Sequence, residues 1–205
     1  MKRFLLIGCL AAALGALVFL PTSEAQTGDW VQLFNGKDLT GWKPHPEQPG
    51  KWSVEDGCIV GRGKAVSHLF SEKGDYENFH LKFTAKISDQ GNSGQYFRAK
   101  FMKGYPNGYE AQINSTHTDP VRTGSLYNFA KVNEQLHKPD EWFTQEVIAK
   151  GNHIQILVNG KKTVDYTDAK NTHTKGHFAI QQHPPAKNGP DSVVTVKKIE
   201  YKPLP

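Results

Sequence analysis

Short runs of alternating apolar and polar residues constrain this chain more than any other feature. They begin at Trp30, and the clearest is Phe79–Ile87, in which every second side chain is apolar. Alternation with a period of two is typical of a strand with one buried face, and no convincing helical period accompanies it. Asn159-Gly160 lies between two such runs and favours a hairpin, because both residues tolerate the positive φ of a type I′ turn.

These runs recur at a spacing of roughly 8–12 residues, which is typical of antiparallel sandwiches and barrels. For a chain of this length and glycine content we predict an all-β fold, a two-sheet antiparallel jelly-roll sandwich. The absence of repeats and linkers predicts one domain over residues 26–205. We expect its core to contain Phe79, Leu81, Phe83, Phe97, Ala111, Val147, Ile156 and Ile180.

The N-terminal segment is predicted to be a signal peptide over residues 1–25. Lys2-Arg3 is followed by the apolar run Phe4–Leu20, and Ser23-Glu24-Ala25 offers the small residues that signal peptidase requires. Cleavage is therefore expected after Ala25, with export to the periplasm or the medium. Lipoprotein anchoring through Cys9 is the less favoured alternative, because few apolar residues precede it.

The remaining composition excludes several classes of protein. The formal charge of +5 is spread along the chain without a dense basic run, which argues against nucleic acid as a partner. No later segment approaches the ~20 apolar residues of a transmembrane span. Cys58 would be the only cysteine left after cleavage, so no internal disulfide is expected.

The stretch Gln90–Ile113 is predicted to form two strands that carry the functional side chains. Gln95–Phe101 and Tyr109–Ile113 both alternate, so Arg98, Glu110 and Gln112 would share one face if these strands pair. Sandwiches of this size often bind sugars on a concave sheet face. The candidates for such a face are Tyr96, Arg98, Glu110, Gln112, Tyr127, Gln181 and His183. The alternative interpretation of this set is a surface ion pair between Arg98 and Glu110, with a histidine in a nearby loop.

The chemistry of this set favours proton abstraction over ordinary glycoside hydrolysis. A glycosidase needs two carboxylates across the scissile bond, and two positions from Glu110 stands Gln112, which cannot ionise. Asp119 is a remote acid that could restore such a pair. One carboxylate among neutral and cationic donors suits removal of a proton next to a carbonyl, with Arg98 or His183 stabilising the developing oxyanion. Neither the Gly-x-Ser-x-Gly of a serine hydrolase nor an HxH or HExxH metal motif occurs.

Several motifs resemble one known family, DUF1080, now called the 3-keto-disaccharide hydrolase domain. They extend in the family's order over nearly the whole chain after the signal peptide. The matching segments are Leu33–Trp42 (LFNGKDLTGW), Trp52–Gly57 (WSVEDG), Gly91–Gly94 (GNSG) with Arg98, Gly108–Gln112 (GYEAQ), Thr123–Tyr127 (TGSLY) and Gln181–His183 (QQH). The chain departs from the pattern at Phe143, usually Asn, and at Lys197-Lys198, usually Arg-Asn. The loss of that arginine affects substrate orientation if it contributes there.

The resemblance implies a concanavalin A-like jelly roll and cleavage of glycosides oxidised to a ketone at C3. A base removes the C2 proton, the C1 substituent leaves by β-elimination, and water adds. From the residues and the resemblance together we expect Glu110, His183 and Arg98 to be catalytic, and Gln112, Tyr96, Tyr127, Gln181 and Asn92 to bind the substrate.

No cofactor is expected, although a structural calcium ion stays open because sandwiches do carry them. A sugar oxidoreductase would have to prepare the substrate. The alternatives are a non-catalytic, lectin-like module and, with less support, a conventional glucanase.

Overall fold

A computed structural model of the protein describes residues 29–205, which form two antiparallel sheets without an α-helix. The predicted signal peptide and Cys9 lie outside the described residues. The larger sheet has eight strands in the order β11-β10-β9-β6-β13-β4-β3, with β1 pairing with β13. Its strands are β1 (Val31–Gln32), β3 (Trp52–Glu55), β4 (Cys58–Gly63), β6 (Phe79–Ile87), β9 (Phe143–Lys150), β10 (His153–Val158), β11 (Lys161–Thr167) and β13 (Ser192–Pro203).

The smaller sheet has five strands in the order β2-β5-β12-β7-β8, and its outer face carries the candidate site. Its strands are β2 (Trp42–Pro44), β5 (Ser67–Ser71), β7 (Asn92–Ala99), β8 (Tyr109–Asn114) and β12 (His177–Gln182). The predicted all-β sandwich is confirmed.

The core lies between the sheets, where the predicted alternation places its apolar side chains. The eight residues expected in the core are all fully buried. β6 alternates strictly between buried and half-buried residues along its whole length. Asn159 and Gly160 have φ values of 49° and 79° and join β10 to β11, so the predicted hairpin turn is confirmed.

Residues 124–129, whose sequence GSLYNF predicts a short strand, form only isolated bridges, one of them between Leu126 and Ala111 of β8. The segment is nevertheless tied to that strand, since the amide of Gln112 donates to Ser125 O (3.0 Å) and that of Tyr127 to Glu110 O (2.9 Å). The segment is thus hydrogen-bonded to β8 at some of its positions only, and it does not form a continuous strand. It still fixes Tyr127 beside Glu110.

A β-bulge at Arg98 changes the predicted alternation of β7. His177 faces Ala99 across the ladder but Ala179 faces Tyr96, so β7 carries one extra residue at this point. Arg98 takes a φ of +50° there. The extra residue turns Ala99 to the outer face, whereas Phe97 stays in the core. The prediction that Phe97 and Ala99 face the same way was wrong for this reason.

Candidate active site

A cavity of about 540 Å³ opens on the outer face of the smaller sheet. Carboxyl, amide, phenol and imidazole groups line it, together with short stretches of loop backbone. The lining side chains include Asn92, Tyr96, Tyr105, Asn107, Glu110, Gln112, Asp119, Tyr127, Asn128, Phe129, His173, Gln181 and His183.

Three neighbouring strands supply the floor of the cavity through their outward-facing positions. Because alternate residues of a strand share a face, Glu110 and Gln112 of β8 point outward together while Tyr109, Ala111 and Ile113 enter the core. β7 contributes Asn92 and Tyr96, and β12 contributes Gln181, with His183 directly after it. The structure thus brings together seven of the eight predicted site residues.

Gly94 makes room for the carboxyl group of Glu110. It lies between Asn92 and Tyr96 on the outer face of β7, and a Cβ atom at this position would collide with the Glu110 carboxyl group. Gly94 faces Gln112 across the ladder, whereas Tyr96 faces Glu110. The missing side chain is therefore what allows the carboxyl group to lie flat against β7.

Glu110 is the most perturbed carboxyl group of the site. Its pKa is raised from 4.5 to about 8, mainly by burial and to a smaller extent by the charge of Asp119, while the hydrogen bond from Tyr96 lowers it. Protonation of Glu110 at neutral pH is thus favoured. A buried carboxyl group of this kind is a stronger base, once ionised, than an exposed one.

A chain of hydrogen bonds orients the Glu110 carboxyl group. Gln181 Nε2 donates to the Tyr96 hydroxyl (3.2 Å), which donates to Glu110 Oε2 (2.8 Å). The Gln112 amide fits with its nitrogen donating to Glu110 Oε1 (3.0 Å) and to Ser93 O (3.1 Å), because the opposite orientation sets its oxygen against acceptors. Both carboxyl oxygens therefore have a donor.

His68 supports this chain from behind, and nothing in the sequence pattern marked it. It faces Gln181 in the ladder and packs edge-on against the Tyr96 ring, with centroids 4.9 Å apart. Burial lowers the pKa of His68 to about 3, so its ring is neutral. An uncharged ring at this place limits the movement of Tyr96 without adding charge near Glu110.

His183 lines the same cavity as Glu110 and is a neutral imidazole. Burial lowers its pKa, and its Nδ1–H donates to Pro184 O (2.6 Å). That bond leaves Nε2 as an acceptor, in long contact with the Tyr105 hydroxyl (3.5 Å). In this form His183 presents a lone pair, and not an N–H group, to a ligand.

Asp119 is a second carboxyl group in the same cavity, although the sequence pattern indicated only a remote acid. The amide of Val121 donates to its Oδ1 (2.8 Å) and the Tyr127 hydroxyl to its Oδ2 (3.3 Å). Its backbone oxygen accepts from Arg122 and Asn114. The assumption of a single carboxylate was therefore wrong, because a loop brings this aspartate back to β8.

Arg98 is the predicted site residue that the structure does not bring to the cavity. Its side chain is buried, with Nε and Nη2 donating to Glu77 O (2.9 and 2.7 Å) and Nη1 to His173 O (3.1 Å). The bulge explains this, because the positive φ of Arg98 directs its side chain out of the alternation that Glu110 and Gln112 follow. Arg98 instead holds the segment that carries His173, a wall residue of the cavity.

The two departures from the family pattern lie away from the cavity. Phe143 is buried and stacks on His137, with centroids 3.9 Å apart. Lys197 Nζ lies over the Trp142 ring, 4.5 Å from its centroid. Neither residue lines the site. In residues 29–205, moreover, no three His, Cys, Asp or Glu side chains are grouped as ligands of a metal ion would be.

Comparison with known proteins assigns the family. Residues 29–202 match the family described as the 3-keto-alpha-glucoside-1,2-lyase-like domain. The chain belongs to this family. This match confirms the resemblance that the motifs predicted. A 3-keto-disaccharide hydrolase of Bacteroides thetaiotaomicron is 26% identical over 170 residues, which cover 67% of this chain and 58% of that protein. The chain therefore matches less than two thirds of the relative's length.

Solved structures share the sandwich. A Parabacteroides distasonis protein, described as a candidate glycosyl hydrolase, has a TM-score of 0.72 and 26% identity, covering 92% of this chain and 99% of its own. The carbohydrate-binding module CBM66 from Bacillus subtilis has a TM-score of 0.57 at 18% identity, covering 78% and 95% of the two chains. The second likeness concerns the fold alone.

Proposed function

We propose that this protein is a carbohydrate-active enzyme that cleaves 3-keto-glycosides by elimination and hydration. The observation that carries the proposal is Glu110, a buried carboxyl group with a raised pKa and a donor on each oxygen. Membership of the family and the activity named for the Bacteroides relative support the substrate class.

In the first step, ionised Glu110 removes the C2 proton, which the neighbouring ketone acidifies. The electron pair forms the C1–C2 double bond as the C1–O bond to the leaving group breaks. The leaving oxygen takes a proton from a hydroxyl group or water in the cavity. General-base catalysis of this kind is typically worth about 10²–10⁴ in rate.

In the second step, water adds to C1 of the enone, and Glu110, whose proton has meanwhile exchanged with solvent, delivers a proton to C2. Nε2 of His183, which is free to accept, takes the proton from the attacking water and returns it to the hydroxyl group or water that had protonated the leaving oxygen. The overall reaction is a hydrolysis and consumes no oxidant. The ketone itself must come from a separate sugar oxidoreductase.

The ketone oxygen gains negative charge in both steps and needs neutral donors. Because Arg98 is engaged elsewhere, we assign this role to the Asn92 amide and the Tyr105 hydroxyl, which both line the cavity. Gln112, Gln181 and Tyr127 then position the sugar and the carboxyl group. Removing one such oxyanion donor typically costs about 10²–10³ in turnover.

The test compares a 3-keto-glucoside with its unoxidised parent in D₂O. We expect cleavage of the keto compound alone, with deuterium at C2 of the product. Equal cleavage of both compounds without deuterium would contradict the elimination mechanism. That outcome would favour the glucanase alternative, for which the presence of Glu110 and Asp119 in one cavity is the specific observation.

A lectin-like role is the second alternative, favoured by the amide-rich lining. Binding of the parent glucoside without cleavage of either compound would support it.

We further propose that residues 26–205 form one exported domain after cleavage of the signal peptide 1–25. Residues 29–205 contain no helix long and apolar enough to cross a membrane. Mass spectrometry of the protein from its native host should give an N-terminus at Gln26. Detection of a diacylated Cys9 would contradict this proposal and would indicate a lipoprotein anchored to the membrane.

A further inference from the structure

The cavity has an unusual balance of charge. Two carboxyl groups, Glu110 and Asp119, line it, and none of its lining residues in the described chain is a lysine or an arginine. Its histidines do not supply a cation either, since burial lowers the pKa of both His173 and His183. The side chains that line the cavity thus offer a ligand negative charge or none.

Three cationic side chains close to the lining in space or in sequence are engaged with other groups, whereas Lys100 lies outside the lining and acts on His173 through its charge. Arg98 donates to the backbone oxygens of Glu77 and His173. Arg122 Nη1 donates to Asn114 Oδ1 (3.0 Å) and to the backbone oxygens of His117 (2.8 Å) and Asp119 (2.9 Å). Lys103 pairs with Glu47 at 2.6 Å. Turning any of them toward a ligand would break these bonds.

The Asp119 carboxyl group is held in place. Val121 and Tyr127 donate to its two oxygens, and the loop around it is fixed through Asn114 and Arg122. Its charge also acts across the cavity, since it contributes to the raised pKa of Glu110. An anionic group on a bound sugar would meet that same charge in a partly enclosed space, where screening by solvent is weak.

We propose that Asp119 is a specificity-determining residue, which restricts the site to glycosides without acidic groups. Neutral sugars with neutral or cationic aglycones would enter, whereas uronic acids and phosphorylated sugars would be excluded. The inference rests on the proposed function only in naming a 3-keto sugar as the substrate. The selection by charge does not depend on that function. Many specific sites reject an unwanted ligand in this way, by placing a like charge against it.

The test uses a matched pair, methyl 3-keto-glucoside and its counterpart with a carboxylate at C6. We expect the wild-type protein to prefer the neutral compound in kcat/KM by about 100-fold. Asp119→Asn should reduce that preference at least tenfold and move the pH profile to lower pH, because Glu110 loses a neighbouring charge. Asp75→Asn, which removes an exposed carboxylate outside the cavity lining, should leave the preference unchanged.

A binding measurement separates this proposal from the proposed function. NMR titration of the wild-type protein with methyl glucoside and methyl glucuronide does not depend on cleavage. Preference for the glucoside that falls at high salt supports selection by charge, even if neither keto compound is cleaved. Equal binding of the two sugars, binding of neither, or an unchanged preference in folded Asp119→Asn would overturn it. If that variant does not fold, the salt dependence of the wild-type preference decides.

Discussion

The Tyr96 hydroxyl donates a 2.8 Å hydrogen bond to Oε2 of Glu110, and its oxygen accepts in turn from Gln181. The bond favours the ionised carboxylate, so it works against the burial that raises the pKa of Glu110. Tyr96 thereby adjusts both how basic the carboxylate is and the pH at which it becomes available.

Tyr96→Phe should shift the rising limb of the pH–rate profile to higher pH. The ring still packs against His68, but the carboxylate loses a donor, so the pKa of Glu110 rises further. If the pKa of Glu110 rises by about one unit, its ionised fraction at pH 7 falls about tenfold. Tyr166→Phe, which removes a hydroxyl outside the cavity lining, is the control, and its profile should keep its midpoint. Identical profiles for Tyr96→Phe and the wild-type protein would contradict this role.

Glu110→Gln should lower turnover of a 3-keto-glucoside by about 10²–10⁴, with little change in sugar affinity. The amide keeps the shape of the carboxyl group but cannot take a proton. Single-turnover kinetics and NMR titration measure the two effects separately. Loss of affinity with retained turnover would exclude Glu110 as the base.

Glu110→Gln should also alter stability in a way that depends on pH. The native state holds this proton between pH 4.5 and about 8, where an unfolded chain has released it. The wild-type free energy of unfolding therefore falls as pH rises through this window, by up to ~1.4 kcal/mol for each pH interval of one.

Urea unfolding at pH 4 and pH 8.5 measures this effect. The free energy of unfolding of Glu110→Gln minus that of the wild-type protein should be larger at pH 8.5 than at pH 4. Glu134→Gln, at an exposed carboxylate paired with Lys161, should show no such gain. A constant difference between wild type and Glu110→Gln would mean that the carboxyl group ionises normally.

Arg98→Met should lower stability by about 2–4 kcal/mol, because it leaves two part-buried backbone oxygens without their charged donor and removes a buried side chain from its contacts. Turnover should fall less than in Glu110→Gln, since Arg98 lies outside the cavity lining. Thermal unfolding and kcat, measured on one preparation, give both numbers. A fully stable variant with turnover reduced about 10²-fold would contradict this prediction and would indicate that Arg98 is a catalytic residue.

The alternation of side chains predicted the parts of the fold that depend on it. β6, β8 and the hairpin at Asn159-Gly160 follow from period and turn chemistry, and so do the outward positions of Glu110 and Gln112. Arg98 could not be placed in this way, because a bulge adds one residue to a strand without a sequence signal and reverses the faces beyond it.

Asp119 was predicted only as a remote acid and His68 was not predicted at all, for different reasons. Asp119 reaches the cavity through a loop, and its position depends on hydrogen bonds from Val121 and Arg122 that no periodicity encodes. His68 lies on the outward face of β5, where a single histidine in a short strand carries no signal. Both positions depend on long-range strand order.

Gly94 and Glu110 share one small volume, which either a Cβ atom or a carboxyl group can occupy. An alanine at position 94 would push the carboxyl group away from Tyr96 and Gln112. The two positions therefore cannot vary independently during evolution. Among family members, a glutamate at the position of Glu110 should occur with glycine at the position of Gly94, and a larger residue there should accompany loss of the acid. The residues at these two positions would then distinguish the family sequences that can form this site from those that cannot.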